Sequence, residues 1–132
     1  MKRVVVDTDV VSYLLKNHPF ASAYAGLLRD RELIISFMTV TEMRLGAVKA
    51  NWGVRRRDRL EEFLGDFGVC YPDDQMCTVC AEMIVSAMRK GRPLSPADAW
   101  IAATALYLNV PLVTNNVKHF RHLDQLTILS AA

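Results

Sequence analysis

The chain has 132 residues, 52% of them hydrophobic, with five prolines and six glycines; that size suits one domain able to bury its own core, and that composition excludes a disordered, collagen-like or linker-dominated chain. Its formal net charge of +2 is too small to mark a nucleic-acid binder by bulk electrostatics, so such a role has to rest on where the charges sit. The opening Met1, Lys2, Arg3 and the short valine run before Asp7 do not make a signal peptide, and no stretch approaches the roughly 18 apolar residues of a membrane span, so a cytoplasmic protein without membrane association is expected.

The first predicted element is a strand from Arg3 to Val6, a β-branched run that stops at Asp7, Thr8 and Asp9. Asp9 is placed to cap a helix that starts at Val10. A second strand, Leu33 to Ser36, leads to a helix from near Thr39 to about Ala50, and a further helix covers Val54 to Asp66 with Leu60, Phe63 and Leu64 on one side. Val69 to Tyr71 reads as a weaker strand. Met76, Val79, Cys80, Met83, Ile84 and Ala87 recur at offsets of three and four, a helical core stripe that Gly91 brings to a stop.

Ser95 and Pro96 then supply an N-cap and a first helical position. The helix that follows, to about Leu108, is alanine-rich and nearly free of charge apart from Asp98, as a central helix packed on most sides should be. Leu112 to Thr114 closes the series of strands. Apolar runs without alternation suit strands covered on both faces, and their alternation with helices implies βαβ units. The predicted fold is a three-layer α/β/α sandwich around a twisted parallel sheet of four to five strands.

Cys70, Cys77 and Cys80 are odd in number and have no secretory context, which argues against a disulfide framework. A structural zinc site needs four ligands, and no second Cys or His pair accompanies Cys77 and Cys80 at a suitable spacing. These cysteines are expected to pack as small apolar residues.

Three acids share one kind of position: Asp7 ends the first strand, Glu42 opens the helix after the second, and Asp98 opens the central helix. In parallel α/β sheets, the ends where strands hand over to helices line the ligand crevice. Thr39 with Glu42 and Ser95 with Asp98 also fit a capping box, so each of those two acids has a purely local reading. Asp7 differs, because an acid that closes a valine run makes no sense as core and lies ahead of the next helix rather than within it, which favours a functional role. Convergent carboxylates repel one another and raise a pKa unless a cation neutralises them. Oxygen ligands without His or Cys select a hard divalent ion, Mg²⁺ or Mn²⁺, and an open carboxylate site of this kind suits phosphodiester hydrolysis.

The chain resembles the PIN-domain ribonucleases, and within them the VapC-like toxins. The resemblance is carried, in order along nearly the whole chain, by Val5-Val6-Asp7-Thr8-Asp9 with Ser12 and Tyr13; by Thr39-Val40-Thr41-Glu42 leading to Leu45 and Gly46; by Gly91 to Asp98 and Ile101 to Ala105; and by Leu112-Val113-Thr114-Asn115-Asn116 with His119 and Phe120. It implies a metal site of Asp7, Glu42 and Asp98, cleavage of single-stranded or looped RNA, a cognate antitoxin and a homodimer. A fourth acid of the family's fuller pattern is replaced here by Asn116, which adds hydrogen-bonding groups but no charge. One-metal and two-metal turnover therefore both stay open.

Around these acids, Thr8, Asp9, Thr41, Thr114 and Asn115 are candidates to position waters or phosphate oxygens. Arg89, Lys90 and Arg92 precede Asp98, while Lys118 and Arg121 follow Asn116, and both groups are candidates to attract RNA phosphates. His119 is expected to be structural, and Trp100 to be core. Trp52 is free to stack on a base or meet a protein. Arg55, Arg56, Arg57 and Arg59 read as a solvated face paired with Asp58, Glu61 and Glu62. Two other functions remain beside the toxin: a catalytically impaired RNA- or protein-binding module, and a housekeeping RNA-processing nuclease.

Overall fold

The computed structural model describes residues 2–132. The first half runs β1 (Arg3–Val6), α1 (Thr8–Lys16), α2 (Ala21–Leu28), β2 (Glu32–Ser36), α3 (Phe37–Lys49), α4 (Val54–Leu64) and β3 (Gly68–Cys70). The second half runs α5 (Asp74–Arg89), α6 (Pro96–Leu108), β4 (Leu112–Val113), α7 (Val117–Phe120) and β5 (Ile128–Leu129). The five strands form one parallel sheet in the order β3-β2-β1-β4-β5. No helix among the described residues is long and apolar enough to cross a membrane.

Strand side chains alternate between faces, so neighbouring residues enter different cores. Val4, Val6 and Ile35 pack with Val10 and Val11 of α1, Tyr24 of α2, Met43 of α3 and Leu60 of α4. Val5 and Ile34 pack on the other face with Cys80 and Met83 of α5 and with Ile101 and Ala102 of α6. Each Val or Ile fully withdrawn from water contributes about 1.5–3 kcal/mol, and this two-sided burial is what selects apolar runs over alternation.

The central helix follows its sequence signals closely. Ser95 Oγ accepts from Asp98 N–H at 3.2 Å, Pro96 occupies the first turn, and Asn109 closes the helix in the left-handed region with φ 55°. Ala99 and the run from Ile101 to Ala105 are buried. Trp100 is half-buried, with its ring edge-on to Phe37 at 5.2 Å.

The predicted strands lie within one residue of the sequence reading at each end, and three helix boundaries differ from it. Helix α1 starts at Thr8, with Asp7 rather than Asp9 as its cap, because the Asp7 carboxylate already accepts from Thr8 N–H. Helix α3 starts at Phe37, because Ser36 leaves the strand extended and its Oγ accepts from Met38 N–H at 3.0 Å. That places Thr39 and Glu42 inside the helix and dissolves their capping box. Helix α4 stops at Leu64, the last residue it buries, so that the chain can turn through Gly65 and seat Phe67 in the core before β3.

The chain adds β2 and β3 on one side of β1, then returns to place β4 and β5 on the other. This reversal makes the C-terminal ends of β1 and β4 the switch point, where a crevice opens in sheets of this type. Val6 pairs with Val113, so the next residues, Asp7 and Thr114, emerge side by side.

Candidate active site

Asp7 sits at that switch point with only 5% of its surface exposed. Its Oδ1 accepts from Thr8 N–H at 2.8 Å and its Oδ2 from the Thr114 hydroxyl at 2.7 Å. Thr114 in turn accepts from Asn116 N–H at 3.0 Å, which orients the hydroxyl toward Asp7. Among the described residues no Lys, Arg or His pairs with Asp7 or Asp9.

Burial above all, and then the charge of Asp9, push the Asp7 carboxyl up to about 8; the bonds from Thr114 and Thr8 pull it down, and Asp98 adds a smaller push. Asp9 is raised too, mainly by burial, against backbone donors at Val10 and Asn115. Asp9 Oδ1 accepts from Val10 N–H at 2.7 Å and Oδ2 from Asn115 N–H at 3.0 Å. The acid expected to serve as a helix cap is thus the strongest charged neighbour of Asp7.

Glu42 and Asp98 approach from two other elements. Glu42 accepts from the Thr8 hydroxyl at 2.7 Å, and that hydroxyl also lies 2.9 Å from Thr39 Oγ1, which is fully buried. Asp98 lies in the first turn of α6, and its Oδ2 is 3.1 Å from His119 Nδ1. A carboxylate can only accept, so the imidazole N–H donates. No three His, Cys, Asp or Glu side chains among the described residues stand close enough together to share one ion directly.

The remaining candidates divide by geometry. Asn115 is locked in place: its Oδ1 accepts from Tyr24 OH at 2.7 Å and its Nδ2 donates to Tyr13 OH at 3.3 Å. Asn116 precedes α7, exposed, and makes no side-chain cap. Thr41 is exposed and turns its hydroxyl back to Phe37 O at 3.0 Å, away from the acids. Arg92 and Lys118 line a hollow with Asp98. Lys90 instead donates to Asp124 and to His122 O, both at 2.8 Å, while Arg89 faces another hollow along α5, and Arg121 is exposed outside both.

Thr39, His119 and the two tyrosines carry contacts that spacing along the chain does not reveal, because each reaches a partner on another element. Asp9 did carry a signal, since it lies two residues beyond Asp7 at the same junction. Elsewhere, Glu61 pairs with Arg44 of α3 rather than with the α4 arginines. Trp52 is half-buried against the core, with the Arg56 guanidinium 4.0 Å above its ring. Cys80 is buried, Cys70 half-buried and Cys77 exposed, all three as free thiols.

The donor set fits a hard cation. A buried carboxyl flanked by two further acids, with no cationic partner among the described residues, is costly to ionise, a cost that a divalent ion relieves. The acids themselves offer oxygen ligands, the chemistry that Mg²⁺ and Mn²⁺ prefer.

Comparison with known proteins places these features in a family. Residues 4–126 match the PIN domain. Ribonuclease VapC1 of Haemophilus influenzae is 33% identical over 124 residues, 92% of each chain. The tRNA(fMet)-specific endonuclease VapC of Shigella flexneri is 28% identical over 126 residues, 96% of each chain. The structure of a toxin-antitoxin complex from Klebsiella pneumoniae superimposes with a TM-score of 0.72 at 25% identity, covering 96% of this chain and 95% of that one. With the fold, the acidic switch point and these likenesses together, the chain belongs to the PIN domain family, among the VapC ribonucleases.

Proposed function

We propose that this chain, acting as one domain over residues 1–132, is a Mg²⁺-dependent endoribonuclease of the cytoplasm and the toxin of a toxin-antitoxin pair. The observation that carries the reading is Asp7: buried at the sheet's switch point, gripped by Thr8 and Thr114, pressed by Asp9 and Asp98, and without a cationic partner among the described residues. Asp7, Glu42 and Asp98 would hold the ion between them, not all three directly but in part through its waters, with Mn²⁺ as a substitute. Magnesium keeps several of its waters, so a site with few direct protein ligands suits it.

When bound, the ion supplies charge neutralisation, orientation of a phosphate and activation of water. The protein's own part is to hold the acids ready. Thr114 and the Thr8 N–H fix both oxygens of Asp7, Thr8 steers Glu42, and His119 steers Asp98. Asn115 anchors Asp9 from the loop after β4. Asn116 adds a neutral amide where a fourth acid would add charge. Attack by water forms a new P–O bond and breaks the bond to the 3′ oxygen, leaving 5′-phosphate and 3′-hydroxyl ends.

The ribonuclease and endonuclease names of the two relatives support RNA as the substrate, and the Klebsiella complex supports an antitoxin that binds this chain. A homodimer accompanies that reading. The test is incubation of the purified protein with structured RNAs, tRNA among them, with and without Mg²⁺. Cleavage is expected for wild type with Mg²⁺ and absent for Asp7→Asn; the same absence of cleavage for both proteins overturns the reading. RNA binding without Mg²⁺ binding in calorimetry would instead identify the catalytically impaired module that the uncharged Asn116 allows.

A further inference from the structure

Beside the acids lies a hollow of about 300 Å³ whose walls include Arg92, Leu94, Asp98, Lys118, His119 and His122. Neither Arg92 nor Lys118 has an acidic partner among the described residues. The one acid in the wall, Asp98, is already engaged by His119. Both ring nitrogens of His122 are buried and lack a hydrogen-bond partner among the described residues. A buried polar atom normally has one, so an orphaned imidazole in the wall of a cationic hollow marks a place where a ligand completes the bonding.

The ligand's chemistry follows from the donors. Arg92 offers a planar fork, Lys118 a point charge, and the imidazole an N–H, a set that matches the oxygens of a phosphate. Leu94 gives the hollow an apolar edge. Because Asp98 belongs both to this wall and to the acids around Asp7, a strand lying in the hollow continues into the acidic site.

We propose that this hollow receives a backbone phosphate of the RNA strand other than the one attacked, and so sets where the strand lies across the acids. The inference rests on the ribonuclease reading above. In it His119 is a positioning residue, separating the charge of Asp98 from the bound anion.

The test uses the full chain and a short single-stranded RNA oligonucleotide in buffer with EDTA, so that binding is read apart from cleavage. Arg92→Gln with Lys118→Gln is compared with wild type and with Lys16→Gln, a change on the exposed end of α1. The double variant should lose about tenfold or more in affinity, and the slope of log affinity against log salt should fall by about 0.7 for each phosphate contact removed. The ring nitrogen resonances of His122 in the wild type should shift when the RNA is added.

Equal affinity and equal salt slope for the double variant and Lys16→Gln overturn the proposal. So does a His122 resonance that moves with inorganic phosphate and does not respond to RNA, which identifies a site for a free anion. Both results are distinguishable from failure of the ribonuclease reading, in which wild type binds the oligonucleotide with the expected salt dependence yet cuts no RNA with Mg²⁺ present.

Discussion

The Thr114 hydroxyl donates to Asp7 Oδ2 at 2.7 Å across 107 positions of sequence, joining the ends of two neighbouring parallel strands. The bond is buried and points at an acid whose other oxygen is already occupied by Thr8 N–H. It therefore decides both how stable the switch point is and which way the carboxylate faces.

Thr114→Val keeps the shape and removes the donor. It should cost about 1–2 kcal/mol in urea denaturation and lower RNA cleavage by about tenfold or more, while Thr114→Ser restores most of both. Full activity in the valine variant would show that the bond does not orient Asp7.

The Asp7 carboxyl is held up at about 8, against 3.8 as its ordinary value, by burial first and then by Asp9. The folded chain therefore retains a proton that the unfolded chain releases between these two values. Asp7's contribution to stability is fully present below about 3.8 and is lost as pH rises toward about 8. Asp7→Asn should accordingly gain on wild type with rising pH, by ~2 kcal/mol or more between pH ~4 and ~8 in metal-free buffer, and Mg²⁺ should narrow the gap. Melts in EDTA across that range check it; a gap that stays constant refutes it.

Asp9→Asn separates two roles for that residue. Helix α1 is capped by Asp7, so the variant should keep its stability within about 1 kcal/mol and lose Mn²⁺ affinity by about tenfold. Calorimetry with Mn²⁺ and denaturation on the same preparation measure both; unchanged Mn²⁺ affinity would return Asp9 to a purely structural role.

Tyr24, 1% exposed, donates to Asn115 Oδ1 at 2.7 Å and accepts from Ala131 N–H at 3.3 Å. Tyr24→Phe should cost about 1–2 kcal/mol by leaving these groups unpaired. Because Asn115 N–H also holds Asp9, cleavage should fall as well. Loss of stability with unchanged cleavage would confine the tyrosine to the core.

Most of the fold was legible because its signals are local. The valine run of β1, the Ser95-Pro96 start and the alanine face of α6 each specify their element within a few residues. The edge strand β5, only Ile128–Leu129, and helix α2 carried no such signal. Two residues have no periodicity to read, and α2 shows no clear apolar face in sequence. The starts of α1 and α3 were missed because two side chains compete for each cap, and only the exit angle of the strand decides between them.

By itself, the sequence determined where acids meet the ends of strands, since an apolar run that stops at a carboxylate is a feature of neighbouring residues. Only the tertiary structure decided which of those acids face one another. The parallel pairing of β1 with β4 and the seating of α3 and α6 on the sheet brought Asp7, Asp9 and Asp98 within electrostatic reach, tied Glu42 to Thr8 and bent His119 onto Asp98. Charge and hydrogen bonding act through space and fall off over a few ångströms, so separation along the chain does not encode them.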